Sequence, residues 1–495
     1  MVRGEQSVRA QGDSGQVDYV PDPARWRILL VLLAAIFMSL ISVSIVNVAL
    51  PAIQGGVGAT DSQLQWVLSG YALTFGVVLV AAGRAGDVMG RGGIFLVGVL
   101  TFTLSSIAAS FAPTAEWLIV ARFAQGVGSG LLNPQGVGMI QQYFRGAERG
   151  RAFGYFGSTV GVSVAIGPVL GGLLIDLGGP DLGWRLTFLV NVPVGILTIV
   201  LALLWFPKPL IQRTAQAGSV LGTLRSLDPI GSLLLGVAVL AILWPFMEAR
   251  SSAVTWLLLP FGVLLVYGWV RWERRYALRG GSPMVDLHIF RTRSFSNGAL
   301  IVTLYFLGMT SIWVLVALYM QEGAGRSALE AGMVGLPSAV LSALAANWAG
   351  RRVLRLGRRL VIGGLYLALI GLGLSAAVVL LNEAVGLSVW WLLLTLSFIG
   401  IAQGTVISPN QTLTLAEVPL QYAGSSGAIM QTGQRMGTSI GIAVITAAVF
   451  TSLQTTSWST AAVLGFGLIA LVILSALAVA YKDLHDRRRR PTPQA

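Results

Sequence analysis

Two arginines stand inside long apolar runs: Arg122 in "ARFAQGVGSGLLNPQ" (121–135) and Arg435 in "GQRMGTSIG" (433–441). A guanidinium at that depth costs several kcal/mol unless it is paired or faces water, so its default reading is a substrate or ion pathway. Around the two, in the same or matching runs, lie Ser42 and the amides Asn47, Gln125, Asn133, Gln135, Asn410, Gln411, Gln431 and Gln434, with Tyr305, Trp313 and Tyr319 as aromatics. Amides in hydrocarbon are expensive unless paired, so they should face one another or a polar cavity. The chemistry open to such a set is recognition. Bond-making would need other groups. The chain has no cysteine, its two histidines (His288 and His485) sit in polar connections, and none of its 20 Asp and Glu falls in the middle of an apolar run. No metal ligand set, no nucleophile with its base and no carboxylate pair within the membrane is available, which argues against an enzyme and against any cofactor or metal.

The elements that position these residues follow from composition. The 495 residues are 55% hydrophobic and 11% charged, where a soluble domain carries about 25% charged residues. A bilayer core about 30 Å thick takes about 20 apolar residues per helix. Fourteen such runs occur, near 27–50, 63–83, 93–112, 116–140, 152–175, 185–206, 229–247, 254–271, 297–320, 330–349, 360–381, 388–408, 425–450 and 460–481. The fold class is therefore an all-α polytopic membrane protein. With the N-terminus inside, all but five of the 33 Lys and Arg fall in cytoplasmic segments: Arg185, Arg250 and Arg326 lie outside, and Arg122 and Arg435 lie within spans. That asymmetry places both termini in the cytoplasm. It also accounts for the net charge of +13 without nucleic acid, and it sets the terminal "RRRR" (487–490) against anionic headgroups.

Glycine-rich halves leading to Asn133-Pro134-Gln135 in span 4 and to Pro409-Asn410-Gln411 in span 12 echo each other, as do the turns "GRAGDVMGRGG" (83–93) and "GRRVLRLGRR" (350–359). Such an echo suggests a duplicated bundle. The divisions expected are a disordered tail 1–26, a six-helix bundle 27–206, linkers with inserted helices 7 and 8 over 207–296, a second six-helix bundle 297–481, and a basic tail 482–495. In order along the chain, "FMSLISVSIVNVALP" (37–51), "QWVLSGYAL" (65–73), "GRAGDVMGRGG", "ARFAQGVGSG", "GVSVAIGPVLGG" (161–172) and "GWRLTFLVNVPVG" (183–195) resemble the motifs of a major facilitator superfamily transporter, specifically the fourteen-span drug:proton antiporters. The likeness covers 27–482.

The resemblance implies roles residue by residue. Gly83, Asp87, Gly90 and Arg91 would form a conformational latch, with Val88 and Gly92 standing where basic residues are usual. Gly161, Gly167, Pro168, Gly171 and Gly172 would be the antiporter motif of exporters, the glycines allowing close helix approach. Arg122 would line the central cavity and take part in proton coupling. The family pattern also holds Asp where this chain has Ser42. A carboxylate in a low-dielectric cavity has a raised pKa and can exchange a proton as the cavity changes sides, which serine cannot do. Three accounts stay open: a peripheral acid such as Asp176 or Glu248 carries the proton, the substrate carries it, or transport is uncoupled or uses another ion.

The reading that results is a secondary active exporter of amphipathic small molecules in a bacterial plasma membrane, expected as a monomer. Its partners would be the lipid bilayer, the substrate and protons, and the bare arginines favour neutral or anionic substrates. The alternative is an exporter or flippase of a lipid or a specific endogenous metabolite with non-standard or no proton coupling.

Overall fold

The computed structural model describes residues 22–211, 226–247 and 253–488. The N-terminal 21 residues, the 212–225 linker, Glu248, Arg250 and the last seven residues lie outside the described residues, as do the side chains of the terminal arginine run.

Among the described residues thirteen helices are long and apolar enough to cross a membrane. They are α1 (Arg25–Val57), α2 (Ser62–Met89), α3 (Arg91–Ser110), α5 (Gly146–Gly179), α6 (Asp181–Trp205), α7 (Pro229–Phe246), α8 (Val254–Leu278), α9 (Arg293–Gly323), α10 (Glu330–Leu356), α11 (Arg358–Val385), α12 (Val389–Thr414), α13 (Leu420–Leu453) and α14 (Trp458–Asp486). The fourteenth, α4 (Ala115–Tyr143), matches them in length. It falls short in apolarity because it carries Arg122, Gln125, Asn133 and Gln135, and it can do so because it is sheathed by α2 and α3, with every residue from Leu132 to Gln141 buried. The polytopic all-helical architecture expected from composition is the one observed. Two ends run further than the sequence suggests, since α1 begins at Arg25 and α14 continues to Asp486.

Local signals set the boundaries. Thr60 and Gln63 form a reciprocal capping box at the start of α2, and Ser327 and Glu330 do the same before α10. Left-handed glycines close α1 at Gly58 and α11 at Gly386. Gly179, with φ 67° and ψ −170°, breaks what would otherwise be one continuous helix into α5 and α6. Many side chains on the outer faces are exposed and apolar, among them Val169, Leu177, Leu204, Leu264 and Leu471, the pattern of a surface bathed in lipid.

One hydrophobic cluster is drawn entirely from Ile301 to Ala480, and a second is built mainly from α1 to α6. The two halves meet along two seams. In one, α5 lies against α10 through small residues: a Cβ on Gly150 would stand 2.4 Å from the Gly350 carbonyl oxygen. In the other, α2 lies against α13, and a Cβ on Gly83 would stand 2.7 Å from the Gly424 carbonyl oxygen. Backbone contact this close needs glycine at each seam. The α7–α8 hairpin docks over the second seam, where Val239 and Leu243 of α7 pack with Leu73 of α2 and Met436 of α13.

Candidate substrate site and latch

The two intramembrane arginines come together on one helix face. Tyr71 and Phe75, one turn apart on α2, hold their ring centroids 6.1 Å apart. Arg122 of α4 lies 4.4 Å over the Tyr71 ring, and Arg435 of α13 lies 4.2 Å over the Phe75 ring. Each half of the molecule thus contributes one guanidinium to a shared aromatic platform, a cation–π arrangement that strengthens when desolvated.

The two cations are held differently. Arg122 is 1% exposed, and its Nε donates to the Val67 carbonyl at 2.9 Å. Its Nη1 donates to Gln125 Oε1 at 2.6 Å and to Ser42 Oγ at 3.3 Å. Gln125 passes the network on, donating to Ser106 Oγ at 2.7 Å. Ser42 is therefore a neutral acceptor for Arg122. Arg435 is half-buried, its guanidinium forms no hydrogen bond among the described residues, and its neighbour Gln434 is also half-buried. Among the described residues no ion pair includes either arginine. The site is electropositive: among the described residues neutral acceptors bind one cation, and the other rests on the Phe75 ring without a hydrogen bond.

Unmet hydrogen-bonding groups cluster on the second half. Tyr305 is 2% exposed, and among the described residues its hydroxyl, Gln431 Nε2, Gln411 Oε1, Thr432 Oγ1 and Ser408 Oγ are buried without hydrogen-bond partners. Asn133 belongs to a different network, donating to Ser39 Oγ and the Ser129 carbonyl beside the Tyr71 hydroxyl, which joins Ser39 and Ser129. Asn47 is exposed on α1, and Trp313 packs against Gly335.

Two of the expected cavity amides are engaged elsewhere. Gln135 holds α4 to α2 by donating to the Ala82 carbonyl at 2.8 Å, and Gly86 leaves room for it. Asn410 accepts from Arg358 and donates to the Gly298 carbonyl at 2.9 Å. Arg358 in turn pairs with Asp483, both nearly fully buried, and Asn297 closes the set. Asp483 is thus not part of a solvated tail. Its approach to Arg358 comes from the return of α14 to α11, 125 residues away in sequence, which no local pattern signals.

Where α2 ends, Asp87 spans the second seam. Its Oδ1 accepts from the Gly424 amide at 2.9 Å, and its Oδ2 accepts from the Ser425 amide at 2.9 Å and the Ser425 hydroxyl at 2.8 Å. The helical part of α13 begins at Ala423 with no side-chain cap of its own, so Asp87 caps it from the other half. Arg91 binds Asp87 at 2.8 Å, Gln142 at 2.8 Å and the Leu420 carbonyl at 2.7 Å. Gly90, with φ 100°, sets the turn that brings Asp87 and Arg91 together.

The antiporter-motif glycines divide between two neighbours. Gly161 faces α10, Gly167 and Gly171 receive Ser44 and Ile45 of α1, and Gly172 has open space beside it. Pro168 lies within α5 without breaking it. Of the peripheral acids considered for proton exchange, Asp176 is exposed.

The Major Facilitator Superfamily matches residues 32–442 and again residues 299–495. The probable actinorhodin transporter of Streptomyces coelicolor is 32% identical over 429 residues, covering 86% of this chain and 72% of that protein. The puromycin resistance protein pur8 of Streptomyces alboniger is 32% identical over 431 residues, covering 86% and 82%. Among solved structures, that of the human organic anion transporter MFSD10 superposes with a TM-score of 0.66 at 13% identity over 93% of this chain and 100% of that one, a likeness of fold alone.

Proposed function

The chain belongs to the major facilitator superfamily, and on that premise we propose that it is a secondary exporter of amphipathic small molecules, neutral or anionic, in a bacterial plasma membrane with both termini cytoplasmic. The observation that carries the substrate class is the Arg122–Tyr71–Phe75–Arg435 platform, which draws one cation from each half and, among the described residues, pairs neither with a carboxylate. A site open to one face at a time between rocking halves would present Arg435 to the substrate and keep Arg122 as fixed positive potential. The names of the relatives, an antibiotic transporter and an antibiotic resistance protein, support export.

The test separates charge from shape. With Arg435→Gln, uptake of a carboxylate-bearing fluorescent dye into inverted membrane vesicles is expected to fall about 10- to 100-fold, the loss of one charge-assisted hydrogen bond worth about 1.5–3 kcal/mol. Uptake of a neutral dye of similar size is expected to change less than about threefold. Equal losses for both dyes would contradict the assignment.

One feature favours lipid export as a second reading. A cavity of about 520 Å³ opens between α10 and α11, lined by Leu341, Leu344, Trp348, Leu360 and Leu367, with Arg359 beside it. Fluorescent phospholipid redistribution between leaflets in the same vesicles distinguishes the two.

A further inference from the structure

The α7–α8 hairpin brings two carboxylates together out of water. Asp228 and Glu273, which by sequence stand in turns at the ends of α7 and α8, are each 1% exposed. Asp228 Oδ2 and Glu273 Oε1 lie 2.3 and 2.8 Å from one point, the position a Cβ would take on Gly231, so the two oxygens face each other across that glycine. Donors treat the pair unequally. Asp228 caps α7, accepting from the Gly231 amide at 2.9 Å, and its two oxygens accept from the Trp272 indole at 3.0 and 3.2 Å. Among the described residues no hydrogen bond of ordinary geometry reaches either oxygen of Glu273, and the groups that face it, the Val285 and Met284 amides and the Trp269 indole, hold it only weakly.

Burial and a like charge both disfavour a second ionised carboxylate, whereas accepted hydrogen bonds stabilise the first. We propose that Asp228 and Glu273 form a proton-binding site, with Glu273 holding one exchangeable proton, and that its occupancy is linked to the α2–α13 latch through Arg84. Arg84 is the α2 residue that faces the pair. It donates from Nε to the Ser226 carbonyl at 3.2 Å and interacts electrostatically with Asp228, Glu273, Tyr422 and the latch residue Asp87. The remaining ionisable groups nearby are Asp286 and His288, which bond to each other, and Tyr422, which meets Asp286. Loss of the Glu273 proton to water leaves two negative charges beside Arg84 and draws that cation from Asp87. Uptake of the proton returns it.

The hairpin thereby supplies an ionisable acid that the first span lacks at Ser42, placed at the seam and not in the substrate site. The proton site stands independently of the export reading; only its use in coupling rests on it.

The test needs no substrate. Infrared difference spectra of the full chain in phosphatidylethanolamine–phosphatidylglycerol vesicles are expected to show the carbonyl stretch of about one protonated carboxyl per chain at pH 7, lost as the pH is raised. Glu273→Gln should abolish this band. Asp228→Asn, which removes only the like charge, should lower its midpoint by about one pH unit or more. No protonated carboxyl at pH 7, or a band unchanged in both variants, would overturn the site. For the link to the latch, distances between spin labels on cysteines replacing the exposed Ala147 and Ala416 should respond to pH in the parent chain and not in Glu273→Gln. The same pH response in both would overturn that link.

Discussion

Replacing Asp87 with alanine is expected to open the seam between α2 and α13. The Asp87 carboxylate accepts three hydrogen bonds from Gly424 and Ser425 and also anchors Arg91, which itself reaches the Leu420 carbonyl. Hydrogen bonds to a charged acceptor contribute about 1.5–3 kcal/mol each in favourable cases, and here several are lost together. Even a net loss of roughly 3 kcal/mol from the latched arrangement shifts its balance with an unlatched one by about two orders of magnitude. The fold itself should survive, because the hydrophobic clusters of the two halves do not depend on this contact. The chain has no cysteine, so paired labels at Ala147 and Ala416 report the opening without background. Asp87→Ala should move the label distance distribution to longer values and cut dye efflux at least tenfold, while Asp87→Asn, which keeps the acceptor oxygen, should fall between. An unchanged distance distribution in Asp87→Ala would remove the latch from the account.

The second large effect concerns the charge beside Ser42. Arg122 brings a full positive charge into a site with no carboxylate. A ligand carboxylate about 7 Å away gains roughly 2 kcal/mol from it at an effective dielectric near 20, or about thirtyfold in affinity. Arg122→Met and Ser42→Asp cancel that potential by different routes, since an aspartate at Ser42 would sit against the Arg122 Nη1 that now donates to the serine. Both are expected to lower efflux of an anionic dye about tenfold or more. They should differ in stability. Arg122→Met leaves the buried Gln125 Oε1 without its donor and should cost about 1–3 kcal/mol, read as a lower unfolding temperature in detergent. Ser42→Asp gives the arginine a partner and should leave that temperature unchanged or raise it. Anionic efflux equal to the parent chain in both variants would contradict an electropositive site.

Much of this architecture was legible in the residues. Thirteen of the fourteen apolar runs became helices long and apolar enough to cross a bilayer among the described residues, and the fourteenth became a helix of matching length, because a bilayer demands that length whatever the tertiary contacts. Arg122 and Arg435 stood out as charges too deep to be incidental, and the turn containing Asp87 and Arg91 was visible because glycine, acid and base recur at fixed spacing. What stayed hidden depends on which helix lies beside which. No spacing rule distinguishes Gln135, which ties α4 to α2, from a cavity amide, or reveals that Asn410 serves Arg358. Asp228, Glu273 and Asp483 read as residues of turns and tails because their sequence neighbours are polar. Their burial comes from packing by α7, α8 and α14. An Asp-Pro pair opening a span did carry one available signal, since aspartate before proline is a frequent helix cap.

Outward transport of small amphipathic molecules is the proposed function, and the Asp228–Glu273 site is the proposed means of driving it with a proton gradient. Both are tested most directly by reconstituting the purified chain into sealed vesicles and following flux of a carboxylate-bearing dye with and without an imposed pH difference. Dye movement is expected only in vesicles containing the chain, accelerated severalfold by the gradient, abolished when a protonophore collapses it, and insensitive to the gradient in Glu273→Gln. Dye flux that is the same with and without the gradient would contradict proton-driven export, and no flux above empty vesicles across anionic and neutral dyes would contradict export itself.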